Sequence, residues 1–511
     1  MLIQETSRDG SDAQKGVTVR LEKDGWDDYG FKTLYRMSVR ADGIWKSVGK
    51  VRIASSSVTG GTSIGSDPVE RLSGDYFSLG VDENYYETLS ELGDDFRADV
   101  LTRLNDVAFS KVSYESLMAH RVFKVSLMRG KGDEDFDTLR RYALGQNARA
   151  NFELRYSYSN AAEAPADMTF LVQPHSLPST NIHAIIGSNG VGKSTLLRDI
   201  IKNAIGSDDT LGSVKVIGED GEPGDITRLI FVSYSAFDDH SISKTISDRQ
   251  MSLDVKYIGL TVADGTLEGE VGDEDLIDEE FSQEIADEGI RSDQTLLSNL
   301  SQDFIKTMYA CSQGYRWSRW KKAVETLQID PVFRGIDIDS FHVANSSDAD
   351  SVGKRFQALS SGHAISLLIV SKLVMHMRER CVVLIDEPES HLHPPLLAAL
   401  INAVSNVVTD RNGIAIVTTH SPVVLQEIPS DCVWVMARGG NQIRTSRPRI
   451  ETYGENLSEI TREVFRLEVH ESGFHRTLME LIDNGYSYDK ICELIPRMGA
   501  EARALAMTLA D

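Results

Sequence analysis

The sequence predicts an α/β fold: a mainly parallel central sheet, an antiparallel β-subdomain, a helical subdomain and helices at the C-terminus. Three observations predict it. Continuous apolar runs at 182–186, 228–234, 381–385 and 413–419 have the composition of strands buried on both faces. Alternating stretches such as Val17-Thr-Val-Arg-Leu, Thr33-Leu-Tyr-Arg-Met-Ser-Val and Phe152 to Ser157 have the period of half-buried antiparallel strands. Apolar residues recur at helical spacing between 294 and 322, from Ala364 to Arg380, and through most of the last 55 residues.

The run Ile182–Ile186 leads straight into Gly187-Ser188-Asn189-Gly190-Val191-Gly192-Lys193-Ser194-Thr195, the phosphate-loop spacing of Gly, four residues, then Gly-Lys-Ser. Glycines let the backbone curl until successive N–H groups converge on phosphate oxygens. The helix expected from Ser194 to Ile205 points its positive end at the same oxygens. Lys193 supplies a mobile charge for the β- and γ-phosphates, and Ser194 a hydroxyl for Mg²⁺. ATP with Mg²⁺ is therefore the expected ligand. A glycine-rich β–α turn that binds nothing is the plainer alternative, and the full motif between strand and helix argues against it.

Composition narrows the class. A chain of 511 residues has material for two or three domains. A net charge of −24 does not suit a general nucleic-acid coat, which needs clustered cations. There is no N-terminal basic-then-apolar signal, and the longest apolar candidate, Ala364 to Met377, is broken by Ser366, Ser371, Lys372 and His376, so no membrane segment is expected. Four scattered cysteines without a C-x-x-C pair fit a reducing cytoplasm rather than a zinc or disulfide frame.

In chain order, residues 1–15 read as a polar, frayed end and 17–55 as strands. Tyr85 to Leu127 reads as helical, and Arg129 to Asp137 as a charged link. Phe152 to Ser157 and Met168 to Val172 read as strands feeding the phosphate loop. Some N-terminal strands are expected to complete the nucleotide-binding sheet. Tyr158 and Phe170 are candidates to stack on adenine, against the plainer reading of core aromatics. Asp209 to Asp225 reads as a hairpin. From Tyr257 to Ile290 there are twelve carboxylates and no Lys or Arg. That stretch is a solvated insertion or, more sharply, a mimic of nucleic-acid charge. Tyr315-Arg-Trp-Ser-Arg-Trp-Lys-Lys322 is either a grip for a nucleic-acid strand or an amphipathic helix laying its Trp residues on the core.

Four motifs follow. Leu359-Ser360-Ser361-Gly362-His363 opens a long helix, and the Ser360 hydroxyl, Gly362 amide and helix dipole can together receive an anion. The strand Cys381-Val-Val-Leu-Ile, expected beside the phosphate-loop strand, ends in Asp386-Glu387-Pro388, with Asp386 placed to hold the Mg²⁺ shell. Glu389-Ser-His391-Leu-His393-Pro394 comes next. Its two His residues have no third metal ligand near them in sequence, so a subunit-contact loop is the preferred reading. Last, Gly413-Ile-Ala-Ile-Val-Thr-Thr ends in His420.

In order and spacing these motifs resemble an SMC/ABC-type P-loop ATPase over about residues 150–440. The resemblance implies that Ser360, Ser361 and Gly362 are the signature that contacts the γ-phosphate held by a partner subunit. It implies that Glu387 is the base for the attacking water and that His420 senses the γ-phosphate. The site residues it assigns are Glu387, His420 and Lys193 for catalysis, Gly187 to Thr195 with Ser360 to Gly362 for ATP, and Ser194 with Asp386 for the metal. The Glu-Pro-Glu-x-His-Leu-His-Pro form is that of DNA-repair and phage-defence ATPases rather than transporter subunits. Two departures stand out. Ser233 or Ser235 occupies the place of the glutamine expected after the strand at 228–234, and only 167 residues separate Lys193 from Ser360, leaving no room for long coiled-coil arms.

The tail lacks clustered acidic Toprim motifs, so the outline resembles an OLD-like ATPase without its nuclease, closest to the Septu-type and retron-associated PtuA family. That resemblance implies a β-rich then helical region over 1–150 that partly completes the ATPase domain. It implies an ATPase core over 151–440, with the acidic insertion at about 257–290 and a helical subdomain at about 291–365, and a helical region over 441–511. It implies a cytoplasmic, antiviral ATP hydrolase acting as a homodimer or higher oligomer, switched by nucleotide and controlling an HNH-type nuclease partner. An ATP-bound scaffold with little turnover, and a RecF-like DNA-repair ATPase that contacts DNA, are the alternatives.

Overall fold

The computed structural model describes residues 1–7, 13–24, 30–41, 43–56, 64–110, 114–129, 133–145, 151–158, 167–174, 176–206, 212–219, 221–224, 226–233, 253–259, 296–313, 315–439, 442–464 and 473–509. Most of the acidic stretch at 257–290, and Ser235, lie outside the described residues.

The N-terminal part is a five-stranded sheet in the order β1 (Ile3–Thr6), β2 (Val19–Lys23), β3 (Leu34–Ala41), β4 (Ile44–Ser55), β5 (Tyr76–Gly80). The frayed end expected at 1–15 is corrected by β1, whose Ile3 is buried and which pairs parallel to β2. Its four residues carry too short an alternation to read as a strand. Helices Glu83–Glu91 and Asp94–Arg103 cover this sheet, and Tyr85, Tyr86, Leu89, Val100 and Leu101 enter its core. The link expected from Arg129 contains instead the start of an amphipathic helix, Asp133–Ala143, which sends Phe136 and Leu139 into the same core. Among the described residues none of the strands β1–β5 joins the sheet that holds the phosphate-loop strand, so the expectation that some of them complete it is corrected as well.

The second sheet is antiparallel: β6 (Phe152–Tyr158), β7 (Met168–Val172), β9 (Gly212–Gly218) and β10 (Pro223–Gly224), in the order β10-β9-β6-β7. Phe170 is fully buried there, and Tyr158 packs edge-on against Tyr156 with ring centres 4.9 Å apart. The core reading holds for Phe170.

The third sheet positions the site. Its order is β12 (Asp254–Gly259), β11 (Arg228–Ser233), β13 (Val382–Asp386), β14 (Ile414–Thr419), β8 (Ile182–Ile186), β15 (Val433–Gly439), β16 (Gln442–Ser446), parallel throughout except for the final β15–β16 hairpin. The apolar runs sit here because both faces are covered. One face meets helices Ser361–His376 and Pro394–Asp410, and the other meets helix Lys193–Ala204 and the antiparallel sheet. The strand ending in Asp386 does not lie beside the phosphate-loop strand, as expected from sequence. β14 runs between them, in register with both. Equal apolarity in three strands leaves their lateral order unspecified. The fold is thus α/β, a parallel sheet of the P-loop NTPase kind with the expected antiparallel and helical additions. No helix among the described residues is long and apolar enough to cross a membrane.

The Arg/Trp stretch lies on helix Tyr315–Leu327, and the structure favours the amphipathic reading. Trp320 is fully buried and donates from Nε1 to Ser371 Oγ at 2.7 Å, while Trp317 stacks on it at 5.0 Å. Arg316 is paired with Asp82, and Arg319 with Asp410 at 2.6 Å.

Arginine–carboxylate pairs tie the N-terminal unit to the ATPase core. Arg411, at the end of helix Pro394–Asp410, forks onto Glu87 at 2.7 and 2.6 Å and also donates to Asn84 and Tyr142. Burial raises Glu87 above the usual carboxylate range, working against the attraction of Arg411. Arg411→Met strips the counter-ion from this buried carboxylate and is expected to cost about 3–5 kcal/mol. Arg411→Met with Glu87→Gln should recover much of that loss, and urea denaturation of the three proteins checks both outcomes.

Candidate nucleotide site

The phosphate loop begins where β8 ends. A Cβ on Gly187 would collide with the Met436 carbonyl of β15, so only glycine lets the chain pass that strand. Gly190 (φ +73°) and Gly192 (φ +111°) take left-handed conformations that turn the loop back into helix Lys193–Ala204. Val191 is buried and anchors the turn, while Asn189 and Thr195 are exposed and Ser188 is half-buried.

Lys193 is buried, and its Nζ donates to the carbonyls of Gly187 (2.9 Å) and Ser188 (3.2 Å) and to His420 Nδ1 (3.1 Å). His420 Nε2 lies 2.6 Å from Glu387 Oε1. One tautomer satisfies both contacts: Nδ1 accepts from Lys193, and Nε2–H donates to Glu387. The sequence-predicted Lys193, Glu387 and His420 therefore form one continuous chain. Glu387 is placed by an unusual backbone, with φ +46° and ψ +60°, and its N–H donates to Thr418 O at 3.0 Å. A non-glycine residue held in that region is sparsely populated and clusters at functional sites.

Ser194 donates to Asp386 Oδ1 at 3.1 Å, and Thr418 Oγ1 donates to the same oxygen. A hydroxyl and a carboxylate facing each other at the ends of adjoining elements are hard oxygen donors of the kind Mg²⁺ takes beside phosphate. Ser194 and Asp386 fit the metal that the motif implies. When bound, it would neutralise charge on the β- and γ-phosphates.

Two contributors escaped sequence reading. Thr418 shares the Asp386 oxygen, in register with it across the sheet. Glu389 accepts on Oε1 from Thr419 Oγ1 (2.8 Å) and from the His420 N–H (2.5 Å), fixing the end of β14. The Thr-Thr-His sequence was the available signal for the first. Ser233 lies at the end of β11 beside Asp386, buried, with no hydrogen-bond partner for its Oγ among the described residues.

Ser360 and Ser361 are exposed at the start of helix Ser361–His376, and Gly362 is buried. No hydrogen bond joins them to the Lys193–His420 cluster among the described residues. The Ser360 hydroxyl does not cap its helix. It meets His363 Nδ1 at 2.6 Å, and His363 Nε2 meets Asp330 Oδ1 at 3.0 Å.

The fold and the site are those of a P-loop nucleotide-binding protein. Residues 326–426 match the family model described as "AAA domain, putative AbiEii toxin, Type IV TA system". The chain is 33% identical over 503 residues to protein ea59 of Escherichia phage lambda, covering 92% of this chain and 90% of that one. It belongs to the ea59 family. Among solved structures, an ATP-binding cassette of an ABC transporter in its ADP conformation aligns at TM-score 0.28 and 16% identity, over 63% of this chain and 97% of that one. The cassette cbiO1 of Clostridium perfringens aligns at TM-score 0.28 and 16% identity, over 65% and 100%.

Glu389→Ala should remove the acceptor for two donors at the end of β14. The expected cost is about 1–3 kcal/mol, read by chemical denaturation. Binding of a fluorescent ATP analogue, which depends on Lys193, should persist.

Proposed function

We propose that this chain is an ATP-hydrolysing, nucleotide-gated switch that works as a dimer and controls a partner nuclease in defence against phage. The observation that carries the ATPase part is the continuous chain Lys193–His420–Glu387 beside Ser194–Asp386, at the carboxyl edge of one parallel sheet. Phosphate oxygens entering the loop would replace the Gly187 and Ser188 carbonyls as partners of Lys193. His420 would then be released toward the γ-phosphate, and Glu387, held to His420 until that moment, would orient the attacking water.

The dimer part rests on the signature. Ser360 and Ser361 are exposed at a helix start without hydrogen bonds to the chain's own phosphate loop, which suits delivery to a second subunit's nucleotide. Each γ-phosphate would be gripped from both sides, so ATP closes the pair and hydrolysis releases it. The defence role and the HNH-type nuclease partner come from the resemblance of the motifs. One observation favours the low-turnover scaffold as a second reading. Ser233, beside Asp386, is too short to span from Mg²⁺ to a neighbouring arm as a glutamine would.

Steady-state hydrolysis by the wild type beside Glu387→Gln separates the two readings. The switch predicts turnover lost by at least about 100-fold in the variant, with ATP binding kept and a dimer trapped on a sizing column. Wild-type binding without turnover above the variant would favour the scaffold. Ser360→Arg should abolish ATP-dependent dimerisation while leaving the nucleotide affinity of the monomer unchanged. A Ser360→Arg monomer that no longer binds ATP would refute the split site.

A further inference from the structure

Sequence reading found His393 without a nearby third ligand, but the fold supplies two more donors from a distance. Asp330, buried at the start of helix Pro331–Arg334, holds its carboxylate between two imidazoles. Oδ1 lies 3.0 Å from His363 Nε2 and Oδ2 lies 3.6 Å from His393 Nε2. One donor atom from each residue falls within 4.8 Å of the others. Ligands of a tetrahedral zinc ion, at about 2.0–2.2 Å from the metal, stand about 3.3 Å apart, and each imidazole already lies near that distance from one of the two Asp330 oxygens.

We propose that Asp330, His363 and His393 form a Zn²⁺ site, with one coordination position open to solvent. Two imidazoles and one carboxylate are a donor set that borderline divalent ions take and that Mg²⁺ does not favour. The site shares no residue with the Ser194–Asp386 pair and touches the signature through Ser360. The surroundings support it in two ways. The far nitrogen of His363 is already engaged by Ser360 Oγ at 2.6 Å, the outer contact that fixes a ligating imidazole. His393 is half-exposed (51%) and gives the ion an entry path. Ligation through its Nε2 puts the ring proton on Nδ1. The long 3.3 Å contact from the Leu396 amide is then given up, and an exposed ring has the space to turn.

The site has a consequence for the signature, which rests on the reading of Ser360 as a phosphate contact. In neutral His363 hydrogen-bonded to Asp330 through Nε2–H, Nδ1 must accept the Ser360 hydroxyl proton, so only lone pairs face outward. With a metal on Nε2, Nδ1 carries the proton and donates to Ser360, which frees the Ser360 O–H for a phosphate oxygen. Metal would thus turn the signature serine from acceptor to donor.

The test uses the full chain, freed of metal by chelation and titrated with Zn²⁺ and with Co²⁺. One ion per chain is expected, and the visible absorption of a low-symmetry Co²⁺ complex should appear and be displaced by Zn²⁺. His393→Ala and His363→Gln should each weaken binding at least about tenfold, with circular dichroism unchanged. Lys193→Ala and Asp386→Asn should bind as wild type, which separates this site from the Mg²⁺ position. Absence of the Co²⁺ band, or wild-type affinity in both histidine variants, overturns the site. Its failure leaves the ATPase reading standing, and loss of hydrolysis in that reading leaves the metal titration unaffected.

Discussion

A single carboxylate oxygen holds the site to the sheet. Asp386 Oδ1 receives Ser194 from the phosphate-loop helix and Thr418 from the neighbouring strand, so that helix, β13 and β14 meet at one atom. The geometry is possible because four parallel strands end at the same edge, in a register that sets Asp386 opposite both Ser233 and Thr418. A parallel sheet buried on both faces allows little sliding, since a one-residue slip would reverse every side chain. The remaining polar contacts inherit that rigidity. Glu387 is one residue beyond Asp386, Glu389 reaches back to the end of β14, and His420 is the first residue after it.

How much was legible in advance follows from where the information sits. The phosphate loop, Asp386-Glu387 and His420 are local patterns, and each stands where its flanking apolar run ends. The lateral order of the strands is not local, which is why β14 was not expected between β8 and β13. The same limit applies to Thr418, whose role appears only once Asp386 is across from it, and to Asp330, which lies 33 residues before His363. β1 escaped because four residues of strand beside a polar segment carry almost no periodicity. It is stabilised by its pairing with β2 rather than by its own sequence. The helix at Asp133–Ala143 was hidden by charge: its polar face dominates the first turn, and Phe136 and Leu139 are few enough to miss.

The buried arginines show how an acidic chain uses its cations. Arg316, Arg319 and Arg411 are nearly inaccessible and pair with Asp82, Asp410 and Glu87, while Arg228 holds Asp254 and the His376 carbonyl. Arginine suits these places because its planar donors satisfy a carboxylate in two directions and its charge cannot be lost on burial. Three pairs cross between residues 82–143 and the later part of the chain: Asp82 with Arg316, Glu87 with Arg411, and Arg141 with Glu379. Breaking one partner of such a pair costs more than the pair contributes, so these contacts define which surfaces stay together.

That commitment bears on what the chain can touch. The segment Tyr315 to Lys322 has the composition of a strand-binding surface, with two arginines and two tryptophans in alternation. Folded, both arginines are internal clamps and Trp320 is a core residue bonded to Ser371, leaving Lys321 and Lys322 as the cations of that segment outside the core. A nucleic-acid backbone needs several cations along its path, and this helix does not offer them. Against a net charge of −24, the place in the described chain where a buried ammonium, convergent backbone amides and a helix N-terminus point at one spot is the loop around Lys193. The anion this loop is shaped to receive is therefore compact and single, such as the phosphate chain of a nucleotide.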